Sequence, residues 1–204
     1  MQHSPRIRLS AAERRRSIEA AATRLFAERG YAATTVEEIV QDAGVTKPML
    51  YRHFESKQDL CIALLQSIRA DLIAAPLQRF DPDAGASQLV PMLDAWLQHV
   101  ERNPDATRLL FTPITGDPEV ERVQRELYER QRDTQVALLA ELAPTLARTA
   151  AEPVGEALRA ALGAVALWWL DHPGVPRDVP HAALVRLARG AVGSSNERAG
   201  DDDA

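Results

Sequence analysis

The sequence predicts an all-α protein: an N-terminal helix-turn-helix head of three helices, followed by a helical body. Three observations predict it. Alanine and leucine abound across the 204 residues while aromatic residues make up 5%, a balance that favours helix over strand. Apolar residues recur three and four apart, with no alternating run of the kind a half-buried strand needs. Capping boxes, glycines and prolines fall where helices should start and stop. At 46% apolar residues with 10 Gly and 13 Pro, the chain is long enough and apolar enough to bury a core.

Ser10-Ala-Ala-Glu13 has capping-box spacing and opens the first predicted helix. Ile18, Ala21, Ala22, Leu25 and Phe26 line one face of it, and Gly30 stops it. Thr35-Val-Glu-Glu38 is a second capping box, opening a short helix that Gly44 ends. Thr46 caps a third helix with Lys47 and Pro48 in its first turn, where the amide that proline lacks has no helical partner anyway. Ser56 caps a fourth, through residues 57–77, with Leu60, Leu64, Ile68 and Leu72 four apart. The cluster FDPDAGAS, 80–87, reads as a loop. Helices are expected over 87–102, 105–112, 117–149, 152–171 and 180–192, with Pro144 kinking or ending the third of these early. The expected division is a head, 1–57, whose residues 1–9 form a flexible arm; a helical body, 58–193; and a disordered acidic tail, 194–204.

Charge is distributed unevenly. The net charge of −5 resolves into +3 over residues 1–57 and −8 over the rest, a basic head on an acidic body. The only two lysines, Lys47 and Lys57, bracket the third helix, while the other 22 basic residues are arginine. The polar, basic N-terminus has no apolar signal core, and the longest apolar run, 160–170, is far short of the ~20 residues that span a bilayer. The single cysteine, Cys61, has no internal partner for a disulfide. The expected compartment is the cytoplasm, with no membrane contact.

Two short helices joined by a tight glycine turn form a helix-turn-helix, whose second helix enters the major groove of double-stranded DNA. Leu50 and Phe54 face inward on that helix, which leaves Lys47, Met49, Tyr51, Arg52 and His53 on its outer surface. The segment 18–60 resembles the DNA-binding head of the TetR family of transcriptional regulators. The resemblance lies in Leu-Phe-Ala-Glu-Arg-Gly-Tyr at 25–31, Thr-Thr-Val at 34–36, Ala-Gly-Val at 43–45, Leu-Tyr-Arg-His-Phe at 50–54 and Ser-Lys-Gln-Asp-Leu at 56–60. It implies that Thr35 contacts phosphate as well as capping, that Thr46, Lys47, Pro48 and Met49 face base edges, and that Tyr51, His53 and Lys57 hold the backbone. Val40 departs from the alanine usual in the family, and Pro48-Met49 from its commoner small-residue pair; Met49 offers a base only apolar contact.

The resemblance also implies a body that senses a ligand and forms a homodimer. Trp96, Phe111, Tyr128, Trp168 and Trp169, spread over four predicted helices, are candidates to enclose an apolar ligand, with Gln131 and Gln135 to orient it. Ordinary core packing is the alternative role for each. The Ala-, Leu- and Gly-rich last two helices are expected to pair with the same two of a second subunit. No catalytic motif, metal-ligand spacing or cofactor cradle is found in the sequence, which argues against an enzyme. The expected function is therefore a repressor released from a near-palindromic operator by a small apolar or amphipathic ligand. The alternative is a DNA-binding regulator with no small-molecule ligand, gated by a protein partner or by oxidation of Cys61.

Overall fold

The computed structural model describes residues 10–78, 81–142, 146 and 148–193, and every regular element among them is helical. Helix α1 (Ala11–Arg29) starts with both bonds of its capping box: the Glu13 amide donates to Ser10 Oγ at 3.2 Å and the Ser10 amide to Glu13 Oε2 at 2.6 Å. It ends at Gly30, whose φ of 81° suits a residue without a side chain. Helix α2 (Val36–Asp42) repeats the device, with the Glu38 amide on Thr35 Oγ1 and the Thr35 amide on Glu38 Oε2. Gly44, at φ 66°, turns the chain into α3 (Lys47–Tyr51), which Thr46 precedes without a side-chain cap bond.

Ile18, Ala22, Ile39, Leu50 and Phe54 close the small core of these three helices. The Ser17 hydroxyl adds a tie to the Ala43 carbonyl at 2.8 Å, and the Arg15 guanidinium lies over the Phe54 ring. Val40 is buried in this core, so the departure from alanine is absorbed by packing.

The body comprises α4 (Lys57–Leu77), α5 (Leu89–Arg102), α6 (Pro104–Phe111), α7 (Pro118–Leu142), α8 (Arg148–Leu170) and α9 (Asp178–Gly193). Helix α7 lies against α8, and α8 approaches unusually closely at two glycines eight residues apart. A Cβ on Gly155 would stand 2.7 Å from Val136 Cγ2, and one on Gly163 2.8 Å from the Phe111 ring. Helix α1 of the head rests directly on α6. One apolar core runs from Ile18 through Leu60, Leu65, Leu97 and Leu110 to Leu184, so no gap in packing marks residue 57. At the end of the body remote from the head, a separate small cluster forms around Leu89, Leu142 and Ala188.

Three expectations are corrected. The segment expected as a loop at 80–87 contains a 3-10 helix, Pro82–Gln88, bent at Gly85. The helix expected over 117–149 stops at Leu142, and α8 begins at Arg148, four residues before its expected start. Pro153 lies inside that helix. Pro144, the arm 1–9 and the tail 194–204 lie outside the described residues. No described helix is long and apolar enough to cross a membrane.

Candidate nucleic-acid interface and body cavity

The outer face of the head carries the residues that the sequence singles out. Thr35, Thr46, Lys47, Pro48, Met49, Tyr51 and Arg52 are exposed and His53 is half-buried, while Leu50 and Phe54 beneath them are buried. Met49 and Tyr51 are 38% and 50% exposed, more than their apolar surface would choose without a partner. Lys47 pairs with Glu37, which lowers the Glu37 carboxyl below the usual range and raises the lysine above its own. Both groups are solvated, and an exposed pair of this kind is worth little, so the lysine can exchange its partner for a phosphate at small cost. The Thr35 hydroxyl is already engaged by Glu38 in both directions.

Lys57 is different. Its ammonium donates to the carbonyls of Tyr31 and Thr34, both at 2.9 Å, and lies 4.1 Å from the centre of the Tyr31 ring. Two of its three N–H bonds thus hold the turn between α1 and α2. Lys57 is half-buried, so a phosphate would meet an ammonium already engaged within the head.

Beside it lies a joint that sequence reasoning missed. The Tyr31 hydroxyl donates to Asp117 Oδ2 at 2.7 Å and Gln58 Nε2 donates to Asp117 Oδ1 at 3.0 Å. Asp117 also accepts the Val120 and Glu119 amides and so caps α7. The Tyr31 bond, then the Gln58 and amide bonds, hold the Asp117 carboxyl below its ordinary range, while burial and that same bond push the Tyr31 phenol well above its own. The signal was present as Asp117-Pro118-Glu119, an N-cap followed by proline and an acidic first turn, but its partner 86 residues away was not. The corner before Asp117 is fixed from α7 as well. Gln124 accepts the Ile114 amide and donates to the Thr112 carbonyl, both at 2.9 Å, and the Tyr128 hydroxyl donates to the Leu110 carbonyl at 2.9 Å.

The far end of the body is hollow. A cavity of about 120 Å³ opens between α4, α5, α7 and α8, with Leu72, Trp96, Gln131 and Leu138 in its wall. A second, of about 80 Å³, continues toward Leu184 and Ala188 of α9. The two share Leu89, Leu93, Gln135, Leu138 and Leu162 and form one elongated apolar space. Gln135, where they meet, has a buried Oε1 without a hydrogen-bond partner.

Of the aromatic and amide candidates, Trp96, Gln131 and Gln135 line this space. Phe111 stands behind Trp96, edge-on at 6.5 Å between ring centres and pressed against Gly163. Tyr128 is committed to the Leu110 carbonyl and stacks under Arg159. Trp169 donates to the Val175 carbonyl in the α8–α9 connection, and Trp168 is 44% exposed against His172. The placement of Phe111, Tyr128, Trp168 and Trp169 around the cavity is corrected accordingly: helical spacing gives a face, not the object that the face meets. No group of three or more His, Cys, Asp or Glu arranged to hold a metal occurs among the described residues.

Residues 18–64 match the family of bacterial regulatory proteins, tetR family. Over 105 residues, 51% of this chain and 48% of the relative, the sequence is 36% identical to the HTH-type transcriptional activator FasR of Mycolicibacterium smegmatis. The matched stretch thus spans about half the length of that curated relative. A solved TetR-like transcriptional regulator from Rhodococcus sp. RHA1 matches with a TM-score of 0.75 at 27% identity, over 91% of this chain and 100% of that one. A tetR-family transcriptional regulator from Streptomyces coelicolor, at 23% identity, shares the fold with a TM-score of 0.68 over 93% of this chain and 84% of its own.

Proposed function

Because the chain belongs to the TetR family of transcriptional regulators, whose members are not enzymes, we propose that it is a homodimeric, ligand-responsive repressor, released from a near-palindromic operator when a small apolar or amphipathic molecule fills the body cavity. The observation that supports it best is a continuous set of contacts from cavity to head. Trp96 forms cavity wall and touches Phe111, which ends α6. The carbonyls at that end are held by Gln124 and Tyr128 of α7, and the following corner is tied to the head through Asp117 and Tyr31. A ligand that displaces Trp96 or spreads α7 therefore pulls on the surface that carries α1. Two heads whose α3 helices are set for successive major grooves lose that spacing when they tilt. The protein works in the cytoplasm, where its DNA is.

The dimer is proposed through α8 and α9. Ala157, Ala160, Ala164 and Trp168 form an exposed stripe on α8 at spacings of three and four, and Val179, Ala183 and Leu187 form one on α9. Small side chains let four helices approach closely, and a second copy buries both stripes. Gating by Cys61 finds no support. The thiol is 0% exposed, and burial, with a contribution from the Asp117 charge, pushes it up to about 12, so it stays protonated and out of reach of oxidants.

The test uses DNA from upstream of the protein's own gene. The wild type should bind it as a dimer, and Ala164→Glu should sediment as a monomer with binding reduced at least about tenfold. An intact dimer with full affinity in Ala164→Glu contradicts the interface. A second reading, activation, is favoured by the description of the FasR relative as an activator. Deleting the gene should raise transcription from the bound promoter if the protein represses and lower it if it activates.

A further inference from the structure

Helices α4 and α7 leave the head side by side, joined there by Gln58 and Asp117, and the cavity begins further along between them at Leu72, Ile73 and Thr134. One turn before the cavity, each helix carries an arginine on the face that reaches it. Arg69 is three residues before Leu72 and four before Ile73; Arg130 is four before Thr134. Several arginines of this body have carboxylate partners: Arg108 with Asp171, Arg122 with Glu119 and Glu126, Arg159 with Glu156, Arg177 with Glu101. Arg69 and Arg130 make no ion pair among the described residues, and Arg69 Nε is buried without a hydrogen-bond partner. Burial, and after it the like charge of Arg130, weigh against the charged form of Arg69, yet a guanidinium does not give up its proton in a protein. Such a pair is stabilised by an anion placed between its members, and a buried donor left unpaired is costly.

Building on the ligand-responsive reading above, we propose that the cavity takes an amphiphile with an anionic head group and one aliphatic tail. The head group lies against Arg69 and Arg130, and the tail runs past Trp96 and Leu138 toward Leu162 and α9. The aliphatic wall matches the tail, the elongated shape favours a single chain, and the two guanidinium groups match a carboxylate or a phosphate ester equally well.

Isothermal titration of the full-length protein with dodecanoate, dodecyl phosphate and dodecan-1-ol, each below its micelle concentration, separates the possibilities. At least one of the two anions should bind about tenfold or more tightly than the alcohol, the factor expected for charge-assisted hydrogen bonds. Preference for dodecanoate identifies a carboxylate ligand and preference for dodecyl phosphate a phosphoester; either supports the proposal. Arg69→Gln should bring the anions down to the affinity of the alcohol and leave the alcohol unchanged. Because Arg69 is half-buried, the exposed Arg130→Gln serves as a second variant that leaves folding intact, with a smaller loss of anion affinity expected. Equal or tighter binding of the alcohol overturns the proposal and gives the polar contact to Gln135 instead. So do binding of none of the three, or an anion preference that survives both substitutions. Anion binding lost in Arg69→Gln but without effect on DNA affinity keeps this site and removes the ligand-responsive repressor reading.

Discussion

Where α4 and α7 leave the head, hydrogen bonds are dense: Asp117 takes Tyr31, Gln58 and two amides of α7, and Lys57 takes two carbonyls. Past Arg69 and Arg130 the same two helices part over an apolar space, with Arg69 Nε and Gln135 Oε1 buried and unpaired. One end is a joint and the other is a receptacle. Dense, directional bonding makes an element move as a unit, whereas loose apolar packing leaves room for something else to complete it. On the reading proposed above, one helix pair accepts a ligand at one end and carries its effect to DNA at the other.

The largest effect is expected at the receptacle. Trp96→Ala removes a ring that is 5% exposed and packed against Phe111, and should lower unfolding free energy by about 3–5 kcal/mol in denaturant titrations. A loss below about 1 kcal/mol would mean that the wall collapses freely and that Trp96 transmits nothing.

Next comes the joint. Lys57→Met keeps the stem but removes two charge-assisted bonds to carbonyls, so about 2 kcal/mol of stability should go, read as a lower melting temperature of the free protein. An unchanged melting temperature with weaker DNA binding would return Lys57 to the role of a simple phosphate anchor.

Smaller still, Tyr31→Phe deletes one hydrogen bond and should cost about 1 kcal/mol. Its pH dependence is more informative. The Asp117 carboxyl is held low in the folded protein, chiefly by Tyr31, so its contribution is complete above the ordinary carboxylate range and disappears as pH falls through the lowered value. Tyr31→Phe should flatten that acid limb. A limb as steep as in the wild type would show that Gln58 and the α7 amides alone set the carboxyl.

These expectations also mark what was legible beforehand. Both capping boxes, the Gly30 and Gly44 stops and the buried face of α1 were readable because each is decided within a few residues. The exposed face of α3 was legible for the same reason, since Leu50 and Phe54 fix which side turns inward. The internal tie of Lys57 was not legible because its partners, the Tyr31 and Thr34 carbonyls, are 26 and 23 residues away and are backbone groups that no sequence pattern marks. The cavity depended on how α8 closes on α7 at Gly155 and on α6 at Gly163. That closeness presses Phe111 onto α8 and leaves only Trp96 among the five aromatic candidates facing the space. Arg69 looked like one more solvated arginine until the helices on either side of it were placed.

The account rests most heavily on α3 as the element that meets DNA, and its salt dependence is the direct measurement. Affinity for the upstream DNA, titrated at several salt concentrations, should show a log–log slope about two units shallower for dimeric Lys47→Ala than for the wild type, one unit for each lost phosphate contact. Met49→Ala should keep the wild-type slope while relaxing preference at one symmetric pair of positions, by about 1 kcal/mol at each half-site. A wild-type slope in Lys47→Ala, together with unaltered sequence preference in Met49→Ala, would contradict the placement of α3 in the groove.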